Sequence, residues 1–292
     1  MVLKYNMRAL IDELKDMKLA IFDLDGVIYR GEILIPYVDT IIDELKKQTI
    51  KIIYNSNNST ATRQNYVDRL KKFNIKSDIS DFYTSASITS AEITKIKRNA
   101  KIFVIGESGL RSELKEQGHN VIEEVSSYKD IDFVIVGLDR DFNYQKLAMA
   151  QKCILEGNAQ FYATNADSTL PVANGLKPGA GVMVNALITC TGKEPLKIFG
   201  KPEPFGINLI LNDTKTPAKK ACIFGDRLNT DILAGNRAGI KTIAVLTGVT
   251  NLKMIQELKD VSMKSGTIDK NLIPDIIIKS LNEIFKDTIV QI

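Results

Sequence analysis

Short apolar runs, each closed by turn-forming residues, recur along the chain. Leu19–Phe22 ends in Asp23-Leu-Asp25-Gly26, and Ile50–Tyr54 ends in Asn55-Ser-Asn-Asn-Ser-Thr60. Leu196–Phe199 ends in Gly200-Lys-Pro202, and Ala221–Phe224 in Gly225-Asp-Arg-Leu-Asn-Thr-Asp231. Runs of this length with turn residues behind them predict buried strands of a parallel sheet. The segments between them, Val38–Lys47 and about Thr62–Phe73, carry apolar residues at helical spacing. Lys241–Leu246 and Asp275–Ile278 predict two more strands, with a terminal helix near 280–287. Leu10, Ile11, Leu14 and Met17 predict a short amphipathic helix before the first strand.

A second alternation interrupts the first. Its strands are Lys101–Ile105, Phe133–Val136 and Gln160–Tyr162; its helices are Ala86–Lys97, about 108–117 and 143–156. Gly175 and Gly179-Ala-Gly181 read as a joint before a helix at Val182–Thr191. Strand–helix alternation implies parallel crossovers. The expected fold is therefore α/β: a doubly wound parallel-sheet core over 1–84 and 181–292, with an inserted α/β module of about 95 residues at 85–180.

In open α/β sheets, ligands sit outside the carboxyl ends of the strands. Side by side, the four strands would bring together Asp23, Asp25, Ser56, Lys201, Asp226 and Asp231. Clustered carboxylates repel, by about 4 kcal/mol for two charges 4 Å apart at an effective dielectric of 20. Such a set needs a cation, and hard carboxylate oxygens favour magnesium, which keeps positions for water and phosphate oxygen. A calcium loop is excluded, because the glycine comes too early and a strand stands in front. Gly200-Lys-Pro202 lacks the preceding glycine of a nucleotide-binding P-loop. Taken alone, the Ser-Asn-Asn-Ser, Gly-Lys-Pro and Gly-Asp segments are turns, caps or surface residues. Their joint occurrence, each after an apolar strand, is what points to one reaction centre.

Composition narrows the chemistry. The chain has 292 residues, 44% hydrophobic and 25% charged, with a formal net charge of +4. That charge is spread without blocks, so neither nucleic acid nor an anionic membrane is an expected partner. No apolar run approaches the roughly 20 residues that span a bilayer, and no signal peptide is evident, which points to the cytoplasm. Cys153, Cys190 and Cys222 form no pairing pattern and read as incidental thiols. His119 is the single histidine and reads as a solvated loop residue. Catalysis by paired histidines is thereby excluded, leaving acid–base chemistry to carboxylates, lysine or a metal.

With these strings in view, Phe22-Asp-Leu-Asp-Gly-Val-Ile-Tyr-Arg-Gly31, Asn55–Thr60, Ala163-Thr-Asn165, Phe199–Pro202 and Phe224–Ile232, the chain resembles the haloacid dehalogenase superfamily. It is similar in particular to the NagD-like, p-nitrophenyl phosphatase branch, whose large α/β cap lies between the serine and lysine motifs. The resemblance implies a Rossmann-like core with that cap and a phosphatase acting on a small phosphorylated metabolite. It implies Asp23 as nucleophile through an aspartyl-phosphate and Asp25 as acid and base. Ser56, with the amides of Asn57 and Asn58, and Lys201 would bind phosphate. Asp23, the Asp25 carbonyl and Asp226 would hold Mg2+, with Asp231 supporting them or orienting Lys201. Asn165, Asp167 and Ser168 are the cap residues expected to read the substrate. Caps of this branch often form dimer contacts, so a homodimer through the cap stays open. Ala166 and Tyr37 depart from the residues common in relatives, threonine or proline and glycine respectively. The alternatives are a mutase with the same phosphoenzyme, a nucleotide-binding protein using Gly106-Glu-Ser-Gly-Leu110, and a catalytically dead scaffold. The loop Tyr29–Val38 is too short for a mutase's helical cap.

Overall fold

All four residues of the strand Leu19–Phe22 are buried, and it pairs in parallel on both sides. Its partners are Lys51–Ser56 and Ala221–Gly225, in registers that set Phe22 opposite both Tyr54 and Phe224. The structure is a computed structural model and describes residues 8–123, 127–172, 175–265 and 269–287. Six strands form this sheet, in the order Ile276–Ile278, Lys241–Val245, Ala221–Gly225, Leu19–Phe22, Lys51–Ser56, Phe82–Thr84. The Phe22 and Phe224 rings stack at 4.7 Å, and such buried aromatic pairs add roughly 0.5–1.5 kcal/mol beyond area burial. Helix Val38–Lys47 buries Val38, Ile41, Ile42 and Leu45, the apolar stripe read from the sequence. Tyr37, just before it, has φ +67°, a left-handed conformation that costs a side-chain-bearing residue about 1–2 kcal/mol.

The second sheet has five parallel strands, ordered Lys197–Ile198, Gln160–Ala163, Phe133–Val136, Lys101–Ile105, Asn120–Ile122. Its core joins Val134, Val136, Phe161 and Ala163 of the strands to Cys153 and Ile154 of helix Tyr144–Leu155. Met183, Val184 and Leu187 of helix Ala180–Thr191 complete it. An antiparallel hairpin, Thr169–Val172 with Gly175–Pro178, leads into that helix.

The chain divides into two compact units: Met1–Asn55, Val67–Phe82 and Pro202–Ile292 in the first, Ser56–Tyr66 and Tyr83–Lys201 in the second. The expected insert of 85–180 falls inside the second unit, which runs on to Lys201. Helix Ala180–Thr191 buries its apolar face against the five-stranded sheet, and Lys197–Ile198 pairs with Tyr162–Ala163. The strand that leads to Lys201 therefore lies in the second sheet, and three rather than four of the predicted strands stand side by side in the first.

Both predicted terminal helices are shorter than expected. Among the described residues before the first strand, only the turn Asp12–Leu14 is helical; residues 1–7 lie outside the described residues. Among the described residues after the last strand, only Leu281–Ile284 is helical, as a 3-10 turn. The two segments instead pair with each other: Ile11 N donates to Ile284 O at 2.9 Å and Lys286 N to Ala9 O at 2.9 Å. Lys286 N is thereby turned away from the Asn282 carbonyl it would meet in a helix over 280–287. No helix among the described residues is long and apolar enough to cross a membrane.

Candidate active site

In the first unit three aspartates meet. Asp23 follows Phe22 directly, and its N–H extends the ladder by donating to Phe224 O at 2.9 Å. Asp226 leaves the neighbouring strand, and Asp231 sits on a π-helical turn, Leu228–Ile232. One carboxylate oxygen from each lies within 4.8 Å of the others. Asp226 and Asp231 are almost fully buried, at 3% and 1% exposure. Backbone amides hold them: Val249 N donates to Asp226 Oδ2 at 2.7 Å, and Arg227 N to Asp231 Oδ2 at 3.1 Å. Glycines press against the same groups. A Cβ at Gly26 or Gly248 would collide with the Asp226 carboxylate, and one at Gly225 with the Asp231 side chain.

This donor set fits a divalent cation. It offers oxygen alone, with no thiolate or imidazole, and hard oxygen ligands suit magnesium, calcium or manganese. Asp231, expected to support the ligands or orient Lys201, brings one oxygen within 4.8 Å of the other two.

Asp25 stands two residues beyond Asp23 with an exposed side chain. Surrounding protein pushes its carboxyl above the ordinary range; the Arg69 charge, the Gly31 amide and the Arg227 charge pull it down less strongly. Solvent screens all of these at an exposed group. The direction suits a carboxyl that must carry a proton to a leaving group.

The remaining predicted residues gather in the second unit. Ser56 is the last residue of Lys51–Ser56, is buried, and its Oγ accepts the Asn58 N–H at 3.2 Å. Asn58 Oδ1 in turn accepts from Thr60 N and Thr60 Oγ1 at 2.7 and 2.8 Å, closing a tight loop. Lys201 is 5% exposed. The Asn57 carboxamide reaches its backbone twice: Oδ1 accepts from Lys201 N and Nδ2 donates to Lys201 O, both at 2.8 Å. Lys201 is thus tied to the residue after Ser56, although its strand belongs to the other sheet.

The three expected substrate residues divide. Asn165 is buried, and its Nδ2 donates to Asn57 O at 2.8 Å while its Oδ1 accepts Asp167 N at 3.1 Å. Asp167 accepts from Asn57 Nδ2 on both oxygens, at 3.2 Å each. Only Ser168 is exposed. The segment Gly106–Leu110 opens helix Ser108–Glu116, but its Gly109 and Leu110 amides donate to Thr60 O and Ser59 O. Those donors, which a nucleotide phosphate would require, are engaged within the protein.

Sequence reasoning missed the Asn57 side chain and the segment Thr247–Thr250. The second was within reach, since Gly248 follows Lys241–Val245, one more strand end of the same sheet. The first depends on a backbone contact between residues 144 positions apart, which no local pattern signals.

Two family models match the chain: haloacid dehalogenase-like hydrolase over residues 20–120 and HAD-hydrolase-like over 198–284. An acid sugar phosphatase of Staphylococcus haemolyticus is 33% identical over 88% of this chain and 99% of its own length. Phosphoglycolate phosphatase 2 of Arabidopsis thaliana is 32% identical, covering 96% of this chain and 95% of its own. Among solved structures, a p-nitrophenyl phosphatase from Archaeoglobus fulgidus superposes with a TM-score of 0.80 at 32% identity, covering 91% and 97% of the two chains.

Proposed function

Because the chain belongs to the haloacid dehalogenase-like hydrolases, we propose that it cleaves a small phosphate monoester with Asp23 as nucleophile and magnesium as the metal. The chain is a phosphoric monoester hydrolase, as its relatives' names indicate. The observation that carries the finer reading is the cluster of Asp23, Asp226 and Asp231 within 4.8 Å at the carboxyl ends of adjacent strands.

Asp23 attacks phosphorus and the ester bond breaks, leaving an aspartyl-phosphate. Asp25 gives its proton to the departing alkoxide, which leaves as the alcohol. The ionised Asp25 then takes a proton from water; the resulting hydroxide attacks phosphorus, releasing inorganic phosphate and restoring both carboxyl groups. Splitting one displacement into two lowers each barrier. Ser56 and the loop amides after it hold phosphate oxygens, and Lys201 offsets their charge. Asp23, the Asp25 carbonyl, Asp226 and Asp231 are the groups that would hold magnesium, which when bound neutralises charge developing on the phosphoryl group. Proton delivery by Asp25 agrees with the upward push on its carboxyl.

Sugar phosphates and phosphoglycolate, named by the relatives, are the first substrates to try, with glycerol phosphate and nucleoside monophosphates beside them. The test is phosphate release from that panel and from p-nitrophenyl phosphate, with magnesium and with a chelator. Release that requires magnesium is expected; no metal-dependent release from any ester removes the reading.

A further inference from the structure

We propose that the side chain of Asn57 positions Lys201 for phosphoryl transfer and that Asp167 locks the orientation of that side chain. The inference rests on the role given above to Lys201.

The strand Lys197–Ile198 is only two residues long. Its pairing continues through Phe199 N to Ala163 O at 3.1 Å and Gly200 N to Thr164 O at 2.7 Å. At Lys201 the Asn57 carboxamide takes over, presenting one acceptor and one donor to that residue's N–H and C=O, as a neighbouring strand would. Gly200 allows the approach, since a Cβ there would lie 2.8 Å from Asn57 Oδ1.

A carboxamide can turn end over end, and only one orientation serves both Lys201 groups. Asp167 decides between them. Its two oxygens accept from Nδ2; the flipped amide would set Oδ1 against a carboxylate that can only accept. The Asn57 carbonyl is itself fixed by Ser85 Oγ at 2.6 Å and Asn165 Nδ2 at 2.8 Å. Asp167 therefore acts through Asn57 on Lys201, a positioning role in place of the substrate reading expected from its loop. A misplaced charge-bearing group of this kind is costly for transition-state binding and much less so for the ground state.

The experiment measures kcat and KM for Asn57→Ala, Asn57→Asp, Asp167→Asn and Lys201→Ala, singly and combined, on p-nitrophenyl phosphate and a sugar phosphate, with melting recorded for each. Asn57→Ala is expected to lower kcat by roughly 10- to 100-fold with KM within about threefold. In the Lys201→Ala background the same change should cost less than about twofold, because the group it positions is gone. Asn57→Asp keeps the bulk but sets two carboxylates face to face; adding Asp167→Asn restores a donor between them and should recover at least about fivefold in kcat. Asp167→Asn should lower kcat by a similar factor on both esters. Three results overturn the proposal: a full Asn57→Ala loss when Lys201 is already alanine, no recovery in the swap, or an altered substrate order in Asp167→Asn. An active Lys201→Ala enzyme would remove the role of Lys201 and this inference with it. Failure of the phosphatase reading shows separately, as a wild-type protein that releases no phosphate.

Discussion

The two compact units each gather polar side chains at strand ends, and they hold them by opposite means. In the first, Asp23, Asp226 and Asp231 carry one sign of charge; backbone amides and the absence of side chains at Gly26, Gly225 and Gly248 keep them in place. In the second, the side chains of Asn57, Asn165 and Asp167 and the backbone of Lys201 are joined donor against acceptor. A like-charged cluster offers oxygens to a cation, whereas a complementary network joins its members directly. The first is a place built to be occupied; the second is a support that fixes the residues on it.

Asp23→Asn tests the charged half and carries the largest expected effect. Turnover should fall by roughly 10^4-fold or more, as for loss of a nucleophile. Melting in chelator should hold or rise, because one of three repelling charges is gone. A clear fall in melting temperature would mean that the cluster is not under repulsion. A pair of glycine changes separates the two regions at smaller cost. Gly248→Ala drives a methyl group into the Asp226 carboxylate. It should weaken magnesium binding by roughly tenfold or more, read by calorimetry. Gly109→Ala meets the backbone of Thr60 and Ala61 instead. Each should destabilise the protein by about 1–3 kcal/mol, but Gly109→Ala should leave magnesium affinity unchanged. Weakened magnesium binding in Gly109→Ala would break the separation.

The acidic cluster was legible because it follows from one rule. Asp23 and Asp226 are the polar residues that end buried parallel strands, and a sheet aligns such ends whatever lies between them in sequence. The core strands and the helices at Val38–Lys47, Arg63–Lys72 and Ser85–Ile96 were legible from periodicity for the same reason: pattern and packing agree. The second network was not legible. That Lys197–Ile198 joins Tyr162–Ala163 rather than the first sheet is a choice between two possible partners, made by the packing of Met183, Val184 and Leu187. Nor does the sequence say that Asn165 and Asp167 face Asn57, since a polar loop reads alike whether it meets substrate or backbone.

His119 is the sharpest case, expected in solvent and found at 5% exposure in the second unit. Its Nδ1 accepts the Ala100 N–H at 3.2 Å, so the ring proton lies on Nε2 and points to Thr94 Oγ1 at 2.9 Å. Protonating Nδ1 would turn an acceptor into a donor facing a donor. Burial accordingly lowers the affinity of His119 for a second proton below that of an ordinary histidine. As pH falls, the unfolded chain takes up that proton first. The stability from neutral His119 is complete above the ordinary pKa of about 6.5 and is lost as pH drops through the lower folded value, by at most about 1.4 kcal/mol per pH unit. Melting of wild type and His119→Gln between about pH 7 and 5 measures it; the wild-type drop should exceed the variant's by roughly 2–4 °C. Acid would then loosen the self-satisfied unit. Parallel melting curves would show that burial of this ring adds nothing to that difference.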